Sequence, residues 1–188
     1  MLTKEEKDNN KKKFIDGLVK YVPNHDALLE ELGDEVFEAA YNRFNFMNNS
    51  YSGGLIENIL KVVSYAVKQN NMLTNKVDVN SLVKTCLVAE LGLYNLYVKS
   101  TSDWHIKNQG KLYDWVDEKD TSLRLGERTV FLLQKCGVPL TKEEFTAIVN
   151  LNKTSDDPNT KWDRNMLSVI LITATKLAIA DQTKTQVK

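Results

Sequence analysis

The segment 55–67 places its apolar residues at Leu55, Ile56, Ile59, Leu60, Val62, Val63, Ala66 and Val67. At 3.6 residues per turn these positions share one face, so the segment reads as a core helix that must bury that face against other elements. Similar spacing recurs in most long segments, and only 8 glycines and 3 prolines interrupt it. No segment sustains the period-two alternation of a half-buried strand, and there is no internal repeat or linker. The expected fold is one all-α domain over residues 1–188, a compact multi-helix bundle.

Start and stop signals place the other helices. Thr3 and Glu6 have the spacing of a capping box and open a helix that runs towards Val22, where Pro23 interrupts it. A second helical stretch covers Asp26 to about Phe46, with Gly33 a candidate break. The turn-rich run Asn48 to Gly54 precedes the 55–67 helix. Asn80 or Ser81 would cap a helix from Leu82 to Leu91, apolar nearly all round and therefore central, with Gly92 ending it. Leu93 to Thr121 is a long polar connection carrying Trp104, Tyr113 and Trp115. Helices resume from Leu123 to Cys136, with Gly137 as C-terminal cap. Thr141 and Glu144 form a second capping box before Phe145, Ile148, Val149 and Leu151. The polar loop Asn152 to Lys161 leads to a last helix from about Asp163 to Asp181.

At 188 residues the chain is long enough for one sizeable core. Its 25 basic and 25 acidic residues cancel, which gives no global attraction for nucleic acid or an anionic membrane. The run Lys11-Lys12-Lys13 reads as a solvated helix face. No stretch approaches the ~20 apolar residues needed to span a bilayer. The charged N-terminus lacks the apolar core of a signal peptide. Cys86 and Cys136 sit in apolar helical runs and are expected as buried thiols, which suits an intracellular chain.

Several strings, in order, resemble the HD-domain phosphohydrolases of tailed phages and their bacterial relatives. Gly53-Gly54-Leu55-Ile56-Glu57-Asn58 is similar to that family's Gly-Gly-Leu-x-x-His, and Cys86 to Gly92 to an apolar helix ending His-Asp-Leu-Gly. Leu125-Gly126-Glu127-Arg128-Thr129-Val130 resembles His-Gly-Glu-Arg/Lys-Ser-Val. Leu140 to Ile148 resembles Leu-Thr-x-x-Glu-aromatic-x-Ala-Ile, and Ala174-Thr175-Lys176-Leu177 the segment with Ala-Asp-x-Leu. The matches span Gly53 to Leu177, about two thirds of the chain.

The resemblance implies an HD-like helical bundle and, equally, a lost metal centre. Such enzymes hold divalent metal through histidine nitrogens and carboxylate oxygens, polarise a phosphate and activate water. Carried over residue by residue, the ligand positions are Asn58, Ala89, Glu90, Leu125, Leu151 and Thr175, with Asp181 an alternative for the last. Apolar side chains offer no lone pair, and Glu90 alone makes no tight divalent site. The two histidines, His25 and His105, lie away from every motif position and read as surface or capping residues. No metal or cofactor is therefore expected. Glu90 would instead form an ion pair or a buried hydrogen bond with Arg128. Lys111, Glu127 and Arg128 keep the family pattern; they either line a cleft able to hold a phosphate or carboxylate, or tie the long connection to the core. Asp156 and Asp157 read as solvated loop residues.

Three functions compete. The first is a catalytically inactive structural or protein-interaction component, of phage type, whose partner is a virion component, a host protein or another copy, working in the host cytoplasm or the virion. The second is a nucleotide-binding pseudoenzyme that senses or sequesters its ligand. The third is a residual phosphohydrolase. Leu125 and Leu151 favour the first, since buried leucines fill a cleft. The exposed aromatic set Trp104, Tyr113 and Trp115 would then supply the contact surface. The expected outcome for the purified protein is no stoichiometric transition metal and no nucleotide hydrolysis. Elemental analysis and a phosphate-release screen with manganese, cobalt and magnesium measure both. Turnover that disappears in Glu90→Ala would overturn this reading.

Overall fold

The computed structural model describes residues 2–41, 51–109, 112–116, 123–151 and 165–185. Among them the fold is all-helical apart from one small two-stranded ribbon. Helix α1 (Lys4–Tyr21) begins as its sequence requires. The Thr3 hydroxyl accepts from the Glu6 N–H at 3.2 Å, and the Thr3 N–H donates to Glu6 Oε2 at 2.7 Å. Phe14 and Leu18, one turn apart, are its fully buried positions. Lys11 does not merely face solvent: it pairs with Asp34 at 2.8 Å and lies 4.3 Å above the Phe37 ring.

The helical stretch expected from Asp26 to Phe46 does break at Gly33, and its described part ends at Glu38. Helix α2 (His25–Leu32) stops at Gly33, whose φ of +58° suits glycine. Helix α3 (Glu35–Glu38) is a single turn, and Ala39 turns into extended backbone. The reason is tertiary: the Ala39 carbonyl accepts the Leu55 N–H at 3.1 Å, satisfying one of the orphan donors at the start of α4 (Gly54–Met72). Residues 42–46 of that expected helix lie outside the described residues, as do Asn48 to Ser50 of the expected turn. Tyr51 bonds Glu57, and Ser52 bridges Lys7 and Glu38, so the entry to α4 is tied to α1 and α3.

Helix α4 then presents its apolar face as its spacing requires, with Leu55, Ile56, Ile59, Val62 and Ala66 buried. The connection to α5 (Val79–Val88) is closed by Asn70, whose side-chain amide donates to the Val77 carbonyl and accepts from its N–H, both at 2.9 Å. Asp78, rather than Asn80 or Ser81, caps α5 by accepting the Ser81 N–H at 2.8 Å. The Ser81 hydroxyl instead donates to Glu144. Every residue from Leu82 to Val88 is buried, which makes α5 the central helix expected. It ends earlier than Leu91, and a single 3₁₀ turn over Leu91–Leu93 follows.

The stretch expected as a bare polar connection contains a strand, a helix and a strand: β1 (Tyr97–Lys99), α6 (Asp103–Gln109) and β2 (Tyr113–Trp115). The strands pair antiparallel with Tyr97 opposite Trp115, Val98 opposite Asp114 and Lys99 opposite Tyr113. Alternation sends Tyr97 and Tyr113 to one face and Val98 and Asp114 to the other. Tyr97 packs against the core and Tyr113 is buried, while Val98 is exposed.

Helix α7 (Leu125–Lys135) ends in a Schellman motif: Val138 N–H donates to Leu133 O, Gly137 N–H donates to Gln134 O, and Gly137 has φ +66°. Helix α8 (Lys142–Asn150) opens with the Thr141–Glu144 capping box. The loop Asn152 to Lys161, with Asp156 and Asp157, lies outside the described residues, as does the expected start at Asp163. Helix α9 (Met166–Thr185) is capped by Asn165, which accepts the Ser168 N–H at 2.8 Å, and runs past Asp181. Helix α9 packs along α4, with α5 and α8 also against it, while α1 covers α5 and α4. No described helix is long and apolar enough to cross a membrane.

The α7–α8 crossing depends on the absence of one carbon atom. A Cβ on Gly126 would stand 2.6 Å from the Ile148 carbonyl oxygen and 2.8 Å from Val149 Cα, both backbone atoms. Gly126→Ala is therefore expected to cost ~1–3 kcal/mol as the helices are forced apart, measured by urea unfolding. A variant as stable as the parent would show that the crossing tolerates separation. Acid should loosen α1. A Lys11 hydrogen bond holds the Asp34 carboxyl low, and the Ser52 hydroxyl with Lys7 does so for Glu38. Depressed carboxyls contribute stability above the unfolded value, about 4, and lose it as pH falls through the folded one. Corrected for the intrinsic pH dependence of exchange, the protection of α1 amides should fall as pH drops below about 4, less so in Asp34→Asn with Glu38→Gln.

Candidate functional site

A buried carboxylate stands where α5 gives way to the 3₁₀ turn. Glu90 is 2% exposed, and desolvating an ionised carboxylate is unfavourable unless donors meet its oxygens. The Tyr41 hydroxyl donates to Oε1 at 2.9 Å, and Asn58 Nδ2 donates to Oε2 at 2.7 Å. Tyr41 comes from the extended stretch after α3, and Asn58 from the second turn of α4. The early end of the second expected helix is thus what brings Tyr41 to the carboxylate. Sequence reasoning overlooked Tyr41 because it sat in the interior of that overextended helix.

Next to Glu90 the chain turns tightly against α7. The Thr129 hydroxyl donates to the Ala89 carbonyl and accepts the Gly92 N–H, each at 3.1 Å. A Cβ on Gly92 would lie 2.8 Å from that hydroxyl oxygen, 3.0 Å from the Thr129 nitrogen and 3.1 Å from the Leu125 carbonyl oxygen. Gly92 is thus required by close approach, not as a helix terminator. Arg128 completes the clamp, with Nε donating to the Gly92 carbonyl at 3.3 Å and Nη2 to Asn95 Oδ1 at 3.2 Å.

Of the positions carried over from the resemblance, a hydrogen bond joins Asn58 to Glu90, while Ala89 is held by Thr129 and the Leu125 carbonyl faces Gly92. Leu125 is half-buried against the core, and Leu151 is buried as the cap of α8. Thr175 is buried on α9 and its hydroxyl donates back to the Leu171 carbonyl at 2.9 Å, within its own helix. The alternative, Asp181, is exposed on α9 and is hydrogen-bonded by Tyr65. Among the described residues no three His, Cys, Asp or Glu side chains gather to hold a metal.

The remaining candidates separate. Lys111 and the side chain of Trp115 lie outside the described residues. Glu127 accepts the Arg124 N–H at 2.8 Å and so caps α7. Tyr113, expected on a contact surface, is 7% exposed, and burial pushes its phenol pKa upward. It belongs to the ribbon's inner face, which the body of the protein covers. Trp104 is 59% exposed on α6, with its ring edge-to-face against His105 at 5.6 Å. His105 Nδ1 in turn stands 3.6 Å from Asp114 Oδ1 on the ribbon's outer face. His25 Nδ1 lies 3.2 Å from the Val22 carbonyl, a capping position. Cys86 and Cys136 are free and buried, and burial raises both thiols.

A second polar knot was also missed. Lys84 pairs with Glu144 at 2.8 Å and donates to the Pro139 carbonyl at 2.6 Å, while Ser81 and the Thr141 N–H supply Glu144 with two more donors at 2.9 Å. Lys84, the one charged residue in a largely apolar helix, was the available signal. Beside the Arg128 clamp, a groove of about 280 Å³ is lined by Glu31, Tyr94, Asn95, Arg128, Phe131 and Lys135, with Lys135 and Glu31 paired at 2.7 Å.

Comparison with protein-family models, with curated proteins and with solved structures finds no match.

Removing either donor to Glu90 should destabilise the fold, because a buried carboxylate oxygen then lacks that bond. Asn58→Ala and Tyr41→Phe are each expected to cost ~1–3 kcal/mol in urea unfolding. Two variants of parental stability would show that these bonds do not sustain the carboxylate.

Proposed function

We propose that this chain is a catalytically inactive, HD-domain-like protein that works by binding another protein, with the segment from Tyr97 to Val116 as its contact surface. The observation that carries the reading is Trp104, a large indole 59% exposed on α6. Exposed Val98 and the His105–Asp114 contact lie near it on the ribbon's outer side. Tryptophan contributes large area at low entropic cost, and such residues dominate interface energetics. The neighbourhood of Glu90 supports the inactive part. Its oxygens accept from Tyr41 and Asn58, and Leu151 is buried where the family carries a histidine. The resemblance to phage-type proteins makes a virion component, a host protein or a second copy the class of partner.

The groove beside Arg128 favours one competing reading, a nucleotide-binding pseudoenzyme, since guanidinium suits phosphate. Its other cation is matched by Glu31, which weakens it as an anion site. Affinity capture from the native source followed by titration of the captured protein distinguishes the two. Trp104→Ala is expected to weaken that association by ~2 kcal/mol, about thirty-fold. Glu90→Gln, checked for native circular dichroism, should leave it intact. Saturable nucleotide binding abolished by Arg128→Ala, with no effect of Trp104→Ala on any association, would overturn the proposal.

A further inference from the structure

No further inference is drawn: the strongest candidate, the apolar outer face of α9 with Met166, Val169 and Leu177 exposed, is an unpartnered surface and nothing in the structure shows what covers it.

Discussion

A carboxylate inside a helical core sets the terms for its surroundings. Glu90 cannot be buried unless donors reach both its oxygens, and the donors Tyr41 and Asn58 come from the extended stretch after α3 and from the next helix. That requirement ties three parts of the chain to one point. The stretch after α3 must be extended for Tyr41 to arrive, and α4 must follow at an angle that turns Asn58 inward. The bond from the Leu55 N–H to the Ala39 carbonyl serves the same junction, because it fixes the start of α4 against that extended stretch. A mistake in any one of them would leave a buried charge under-bonded, which is worse than an apolar residue in its place.

Close backbone approach does for α7 and α8 what hydrogen bonding does for Glu90. Gly92 lets the turn after α5 lie against Thr129, and Gly126 lets α7 cross α8 with their backbones nearly touching. Neither glycine needs an unusual φ; each is needed for the missing Cβ. The Thr129 hydroxyl then serves as donor to Ala89 and acceptor from Gly92, so two backbone groups left over at the end of α5 are satisfied by one side chain. The Lys84–Glu144 knot repeats this logic at the other end of α5, linking it to the cap of α8.

Local signals in the sequence were enough for elements whose ends are decided locally. The Thr3 and Thr141 capping boxes and the Gly137 terminus stand where their residue types place them. Ends decided by distant partners were not legible. The break after Glu38 depends on Leu55, and the end of α5 depends on Thr129, 40 residues beyond Ala89. The ribbon escaped notice because three-residue strands are too short to show alternation, and an inward Tyr113 looks like any other tyrosine in a polar stretch. At the candidate site the bond from Asn58 to Glu90 was not anticipated, since Glu90 was expected to meet Arg128. The bonds described for Glu90 come from Tyr41 and Asn58, while those of Arg128 go to Gly92 and Asn95.

The polar groups inside this fold are therefore best understood by what they hold. A metal site needs ligand lone pairs directed at a common open point, with donors kept away from them. Around Glu90 the arrangement is the reverse, since donor groups converge on the carboxylate oxygens and the helices close over them. The Thr175 hydroxyl is likewise engaged, bonded within its own helix. Polar side chains used as staples are engaged already, so a new ligand would have to displace bonds that hold the core together. Trp104 is under no such constraint. Its ring meets His105 edge-to-face and is 59% exposed, on the helix α6 that lies between the two strands of the ribbon. Under the proposed reading, an indole with only two side-chain torsions to order would bind a partner at low entropic cost.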